Sequence, residues 1–237
     1  MAKKAIIVGA TSGIGRELVK VLSINGYIVG ATGRRLNLLK DLKEELTAQI
    51  FIKEIDVTKQ SALSELQSLI DEMDGVDLIV ISAGTGSLEP NLPWNKEKET
   101  IETNVLGFGA IANIAYHHFI KKNSGHLVGI SSIASIRGGE APAYNASKAF
   151  VANYLQGLRY LVKKNNKNIT ITDIQPGFVD TAMAQGEGLF WVATPEKAVD
   201  QIFTAIKKKK NHAYITKRWR LIAWVLKILP DFIYNKL

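Results

Sequence analysis

The sequence contains no cysteine, which excludes disulfides and thiolate metal sites alike. No window of 18 apolar residues runs without a charge, so no bilayer-spanning helix is expected. No signal peptide precedes the first apolar run: Met1 to Lys4 lead straight into Ala5 to Gly9, and the expectation is a soluble protein of the cytoplasm. Internal repeats and low-complexity linkers are missing too. Histidine is scarce. His117 and His118 fall in an amphipathic pattern and His126 opens a strand, with no cluster of carboxylates beside them, so no metal site is expected.

What is present suffices for one sizeable core: 237 residues, 46% of them apolar, expected to form a single domain over residues 1–237. The net charge of +8 is unevenly placed. Residues 207–237 hold nine Lys or Arg and one acid, Asp231, while acids and bases balance in the first 206 residues. A basic tail of this kind is poor evidence for a nucleic-acid-binding body, and no nucleic-acid partner is expected.

Short apolar runs alternate with amphipathic ones. Ala5 to Gly9, Tyr27 to Thr32, Ile50 to Ile55, Asp77 to Ser82, Gly125 to Ser131 and Asn168 to Gln175 read as strands, with Ala213 to Ile215 as a further one. Helical spacing covers Gly13 to Ile24, Asn37 to Leu46, Ser61 to Met73, Lys96 to Lys122 and Ala143 to Lys164. Continuous apolar strands separated by helices predict an α/β fold, a doubly wound parallel sheet covered on both faces.

The first strand runs into G-A-T-S-G-I-G, with Gly9, Thr11, Ser12, Gly13, Ile14 and Gly15 at a strand-to-helix turn. Glycines there let backbone approach a pyrophosphate, and the helix N-terminus offers free N–H groups. The second strand ends in Gly33, Arg34 and Arg35, where an acid would favour NAD and arginine accommodates a 2′-phosphate, so NADP(H) is expected over NAD(H). Asp56 and Val57 follow the third strand. Asp56 suits an adenine amino group or a helix N-cap, and Val57 can pack on the ring. Ser82, Ala83 and Gly84 end the fourth strand, the glycine allowing backbone beside a ribose. Pro176 and Gly177 lie just past a later strand, on the sheet edge where ligands of this architecture bind.

Tyr144 and Lys148 are spaced four apart at the start of a helical run, so phenol and ammonium share one face. A fixed ammonium favours the phenolate of a group whose reference pKa is about 10. Ser131 or Ser132, ending the preceding strand, can hold the same substrate oxygen. A surface Tyr stacked on a Lys stem is the competing reading of that pair.

Together these motifs resemble the short-chain dehydrogenase/reductase family in its compact branch, over about residues 4–206: G-A-T-S-G-I-G, D-V at 56–57, S-A-G at 82–84, E-T-N-V-L-G around Asn104, the serine pair, Y-N-A-S-K, and P-G-F-V-D-T with Val179 and Thr181. The resemblance implies a Rossmann-like sheet of about seven strands. It also implies Tyr144 as acid/base, Lys148 lowering its pKa and binding the nicotinamide ribose, a serine orienting the carbonyl, Asn104 holding a relay water, and Thr181 with the Pro-Gly turn seating the carboxamide. Spacing would make the serine Ser131, and the I-S-S pattern Ser132; Ser132 is preferred. Ser82 departs from the family's usual asparagine. A homodimer or homotetramer paired through the two long helices is implied as well.

Residues 182–194 carry glycines with Phe190 and Trp191, a pattern that suits a lid over an apolar carbonyl or secondary-alcohol substrate. From Lys217 to Leu229, helical spacing puts Trp219, Ile222, Leu226 and Leu229 on one side and Lys217, Arg220, Trp224 and Lys227 on another. That helix either docks on the protein or lies in a membrane interface, docking being preferred. A NADP(H)-dependent oxidoreductase is the expected function; a dinucleotide-sensing scaffold without turnover is the alternative.

Overall fold

The computed structural model describes residues 2–89, 91–181 and 190–236. The alternating runs become seven parallel strands: β1 Lys4–Val8, β2 Ile28–Gly33, β3 Ile50–Glu54, β4 Leu78–Ile81, β5 Gly125–Ile130, β6 Ile169–Pro176 and β7 His212–Ile215. Their order across the sheet is β3-β2-β1-β4-β5-β6-β7. Every pair is parallel, which is why strands such as Ala5 to Val8 read as unbroken apolar runs: both faces are covered. One core lies under α1 (Gly13–Ile24), α2 (Leu36–Glu44) and α7 (Pro195–Lys207). The other lies under α3 (Ala62–Glu72), α5 (Phe108–Lys122) and α6 (Pro142–Lys164).

The register aligns the carboxyl ends of the strands. Val8 pairs with Thr32 on one side and Ile81 on the other, and Ile130 pairs with Ile174. Strand order reverses between β1 and β4, so a crevice opens at that edge beside the glycine turn.

Three elements differ from the sequence reading. The long helix expected from Lys96 is α4 (Trp94–Ile101), a π-helical turn at Glu102–Gly107, and then α5. Helix α7 was not anticipated, although its start is written in the chain: Thr194 accepts the Lys197 N–H at 3.3 Å and Pro195 takes the first helical position. The tail helix α8 is Trp219–Ile228, starting two residues later than expected and ending one residue earlier, where Leu229 turns extended before Pro230; a four-residue helix α9, Asp231–Tyr234, follows.

Candidate active site

Helix α6 starts at Pro142, whose fixed φ suits a first helical position, and this places Tyr144 in the first turn and Lys148 one turn on. Lys148 is 5% exposed; its ammonium donates to Ile130 O at 3.1 Å and lies 5.6 Å from the centre of the Tyr144 ring. Burial pulls the Lys148 pKa down to about 8, with the Asp173 carboxylate acting the other way. The Tyr144 phenol is pushed up by burial and drawn back by the Ser132 hydroxyl beside it. Lys148 stands one turn from the phenol with its ammonium over the ring, and burial opposes loss of the phenol's proton.

The serine pair separates as neighbours at a strand end must. Ser131 turns into the core, donating to the Asp173 carboxylate, with Ile174 O 3.2 Å from the same hydroxyl. Ser132 faces the cleft, where its oxygen accepts the Ala134 N–H at 3.1 Å and lies 3.5 Å from Pro176 O.

Asn104 stands in the π-helical turn, a local distortion that often accompanies function. Its amide donates to Thr85 O at 2.7 Å and Ser147 Oγ at 2.9 Å, and its Oδ1 accepts the Thr85 N–H at 2.9 Å. The amide hydrogens are thus used on the loop after β4 and on α6, and a relay water would take the remaining lone pair of Oδ1. That loop closes over the site. A Cβ on Gly84 would stand 3.2 Å from Lys148 Nζ, and one on Gly86 only 2.5 Å from the Tyr144 ring.

On the nucleotide side, Gly9 takes φ +92°, and a Cβ there would stand 2.4 Å from Ala83 N. Ser82 and Ala83 both donate their N–H groups to Val8 O, and Ser82 Oγ lies under the turn near Gly15. Gly13, at φ +56°, faces the Thr181 methyl across the turn. Ile14 packs into the core below. Ser12 occupies the N-cap of α1 without capping it, and no acid sits in the first turn, so its N–H groups and dipole suit a pyrophosphate.

Arg35 lies over this turn, donating from Nε and Nη2 to Thr11 Oγ1 at 3.2 and 2.6 Å and from Nη2 to Ser12 Oγ at 3.0 Å. Arg34 instead turns to Glu99 on α4, 3.6 Å away, so the two arginines are not equivalent. Gly33 explains the missing acid: a Cβ there would stand 2.6 Å from the Thr11 methyl. The donor set therefore fits a dinucleotide bearing an extra phosphate. Asp56 is not the cap of α3, which is Ser61; its Oδ1 accepts the Thr58 N–H at 3.0 Å and hydroxyl at 2.8 Å in a local turn. Val57 packs against Gly107.

Beyond β6, Gly177 is held by β7 through Ile215 O, Val179 bridges to Ala193, and Thr181 donates to Val179 O at 3.3 Å. Residues 182–189, most of the expected lid, lie outside the described residues. Phe190 and Trp191 join Phe178 and Trp219 in a cluster of aromatic rings beside Gly177.

The model of the family described as short chain dehydrogenase matches residues 3–189. The chain belongs to the short-chain dehydrogenase family. Among the relatives of this chain is an uncharacterized oxidoreductase of Myxococcus xanthus, 39% identical over 189 residues, 76% of this chain and 74% of that one. The NADP-dependent 3-hydroxy acid dehydrogenase of Escherichia coli K12 is 33% identical over 181 residues, 73% of this chain and 71% of that one. A closed serine dehydrogenase complexed with NADP+ superposes with a TM-score of 0.81 at 26% identity, covering 89% of this chain and 93% of that one.

Two residues beside the candidate site, Asp173 and Thr85, carry no signal in the sequence, and a third, Trp219, is read there as part of the tail alone. Asp173 anchors the serine strand and Thr85 receives Asn104; neither fits a spacing rule. Among the described residues no cluster of three His, Asp or Glu gathers as for a metal; His126 is taken up by Thr172 Oγ1 at 2.7 Å.

Proposed function

We propose that this dehydrogenase uses NADP(H) to interconvert a carbonyl and a secondary alcohol, with Tyr144 as proton donor and acceptor. The observation that carries the reading is the convergence of Tyr144, Ser132 and Lys148 at the carboxyl edge of the sheet, across the crevice from a glycine turn crowned by Arg35. The bound nicotinamide supplies or receives the hydride. Arg35 would hold the 2′-phosphate, exchanging its hydroxyl partners for the stronger charged one. The N–H groups of Gly13 to Gly15 would hold the pyrophosphate, Asp56 and Val57 the adenine, Gly84 and Lys148 the ribose, and Pro176 to Thr181 the carboxamide.

Ser132 orients the substrate oxygen by hydrogen bonding, and Tyr144, kept protonated by burial, delivers its proton as that oxygen gains charge. Lys148 fixes a positive charge nearby. The aromatic rings around Trp219 favour an apolar substrate over the small hydroxy acids named for two relatives. Replacing Phe190 and Trp191 by Ala then costs more turnover on bulky aromatic ketones than on 3-hydroxy acids; equal losses would count against that preference. We place the enzyme in the cytoplasm and pair it with a second copy through α5 and α6. A scaffold without turnover has no use for this convergent triad, and NADPH consumption with any carbonyl in a ketone panel decides between the two.

A further inference from the structure

Helix α8 has two apolar stripes. Trp219 and Ala223 are buried on the domain, and Ile222, Leu226 and Leu229 are half-covered beside them. The other stripe, Leu221, Trp224, Val225 and Ile228, repeats at i, i+3, i+4 and i+7 and faces outward, with Trp224 65% and Ile228 60% exposed. Phe232 of α9 extends it at 70% exposed. Docking therefore accounts for one side of the helix and leaves the second unpartnered.

Cations frame that second side. Tyr214, Lys217, Arg218, Arg220, Trp224 and Lys227 border a surface groove, and residues 207–237 carry the whole formal excess of positive charge. The one acid of this segment, Asp231, is bound by Arg137. Arg137 also donates to Leu226 O at 3.0 Å and to Leu229 O, and Tyr234 donates to Gly138 O, so the tail is pinned from its inner side with the outer stripe presented. Exposed Phe190, Trp191 and Val192 adjoin it through Trp219, and Arg218 lies 5.0 Å over the Trp191 ring.

We propose that this face binds the surface of a bilayer containing anionic lipids, α8 lying in the interface plane. A ring of bases around tryptophan and aliphatic side chains matches acyl chains bordered by phosphates, whereas a second copy of the same face would set cation against cation. No helix among the described residues is long and apolar enough to cross a membrane, so the contact is peripheral.

The test uses the full chain with phosphatidylcholine vesicles, with and without 40% phosphatidylglycerol. The expected result is cosedimentation with the anionic vesicles only, weakened at high salt. The triple variant Lys217→Gln, Arg220→Gln, Lys227→Gln binds about a hundredfold more weakly, about fivefold per base. Trp224→Ser with Ile228→Ser also releases the protein; both sets alter exposed positions and leave NADPH binding intact. Failure of the wild-type chain to sediment with anionic vesicles overturns the proposal. So does binding that the triple variant retains, or light scattering in which the serine variant converts an oligomer to a smaller one, which would assign the face to a second copy. Vesicle binding and turnover are read separately, so this outcome does not depend on the proposed reaction.

Discussion

The indole of Trp219 lies so close to Gly177 that a Cβ on that glycine would stand 2.1 Å from it. The tail helix is thereby wedged against the turn that ends β6, at the mouth of the crevice. Gly177→Ala must push the indole out, and overpacking of this kind costs about 1–3 kcal/mol. Trp219→Ala, which empties the site, costs about 3–5 kcal/mol. Urea unfolding with tryptophan fluorescence measures both; a Gly177→Ala protein with unchanged midpoint and emission would show that the wedge is unimportant.

Arg35 and Arg34 have different partners, Thr11 and Glu99. Arg35→Ala raises KM for NADPH at least tenfold while leaving that for NADH nearly unchanged, the loss of a charge-assisted contact of about 1.5–3 kcal/mol. Arg34→Ala, which breaks an exposed pair with Glu99, has a much smaller effect. Steady-state kinetics with both cofactors checks the contrast, and equal losses would contradict it.

His126 is buried in β5, where burial draws its pKa from 6.5 down to about 4. Between those values the unfolded chain binds a proton that the folded chain refuses. The contribution is therefore fully present above pH 6.5 and is lost as pH falls toward 4, amounting to about 3 kcal/mol. His126→Gln removes this term, so the stability gap between wild type and variant narrows from pH 7 to pH 4.5. A gap independent of pH in urea titrations would refute it.

Activity has its own pH dependence. With the Lys148 pKa near 8, carbonyl reduction measured as kcat/KM falls above about pH 8 as the free enzyme loses that proton. A profile flat to pH 10 would mean that the charge of Lys148 is not needed.

Much of this was legible in the chain, because the period of the apolar residues fixes strands and helices and the glycine turn follows the first strand directly. The preference for Ser132 over Ser131 rests on the resemblance alone, since what turns Ser131 inward is Asp173 on the neighbouring strand, a contact 42 residues away. Spacing put Tyr144 and Lys148 on one face but said nothing of burial, which sets the direction of both pKa shifts. Helix α7 had its cap, its proline and its period in plain sight. The π-helical turn had no such marker, because one additional residue in a turn leaves the apolar pattern almost unaltered.

Proton transfer by the Tyr144 hydroxyl is tested by following NADPH absorbance with a panel of ketones for wild type and Tyr144→Phe alongside a fluorescence titration of NADPH. The expected result is a turnover loss of roughly 10²–10⁴-fold in the variant with cofactor affinity kept. Wild-type turnover that survives the substitution would contradict it.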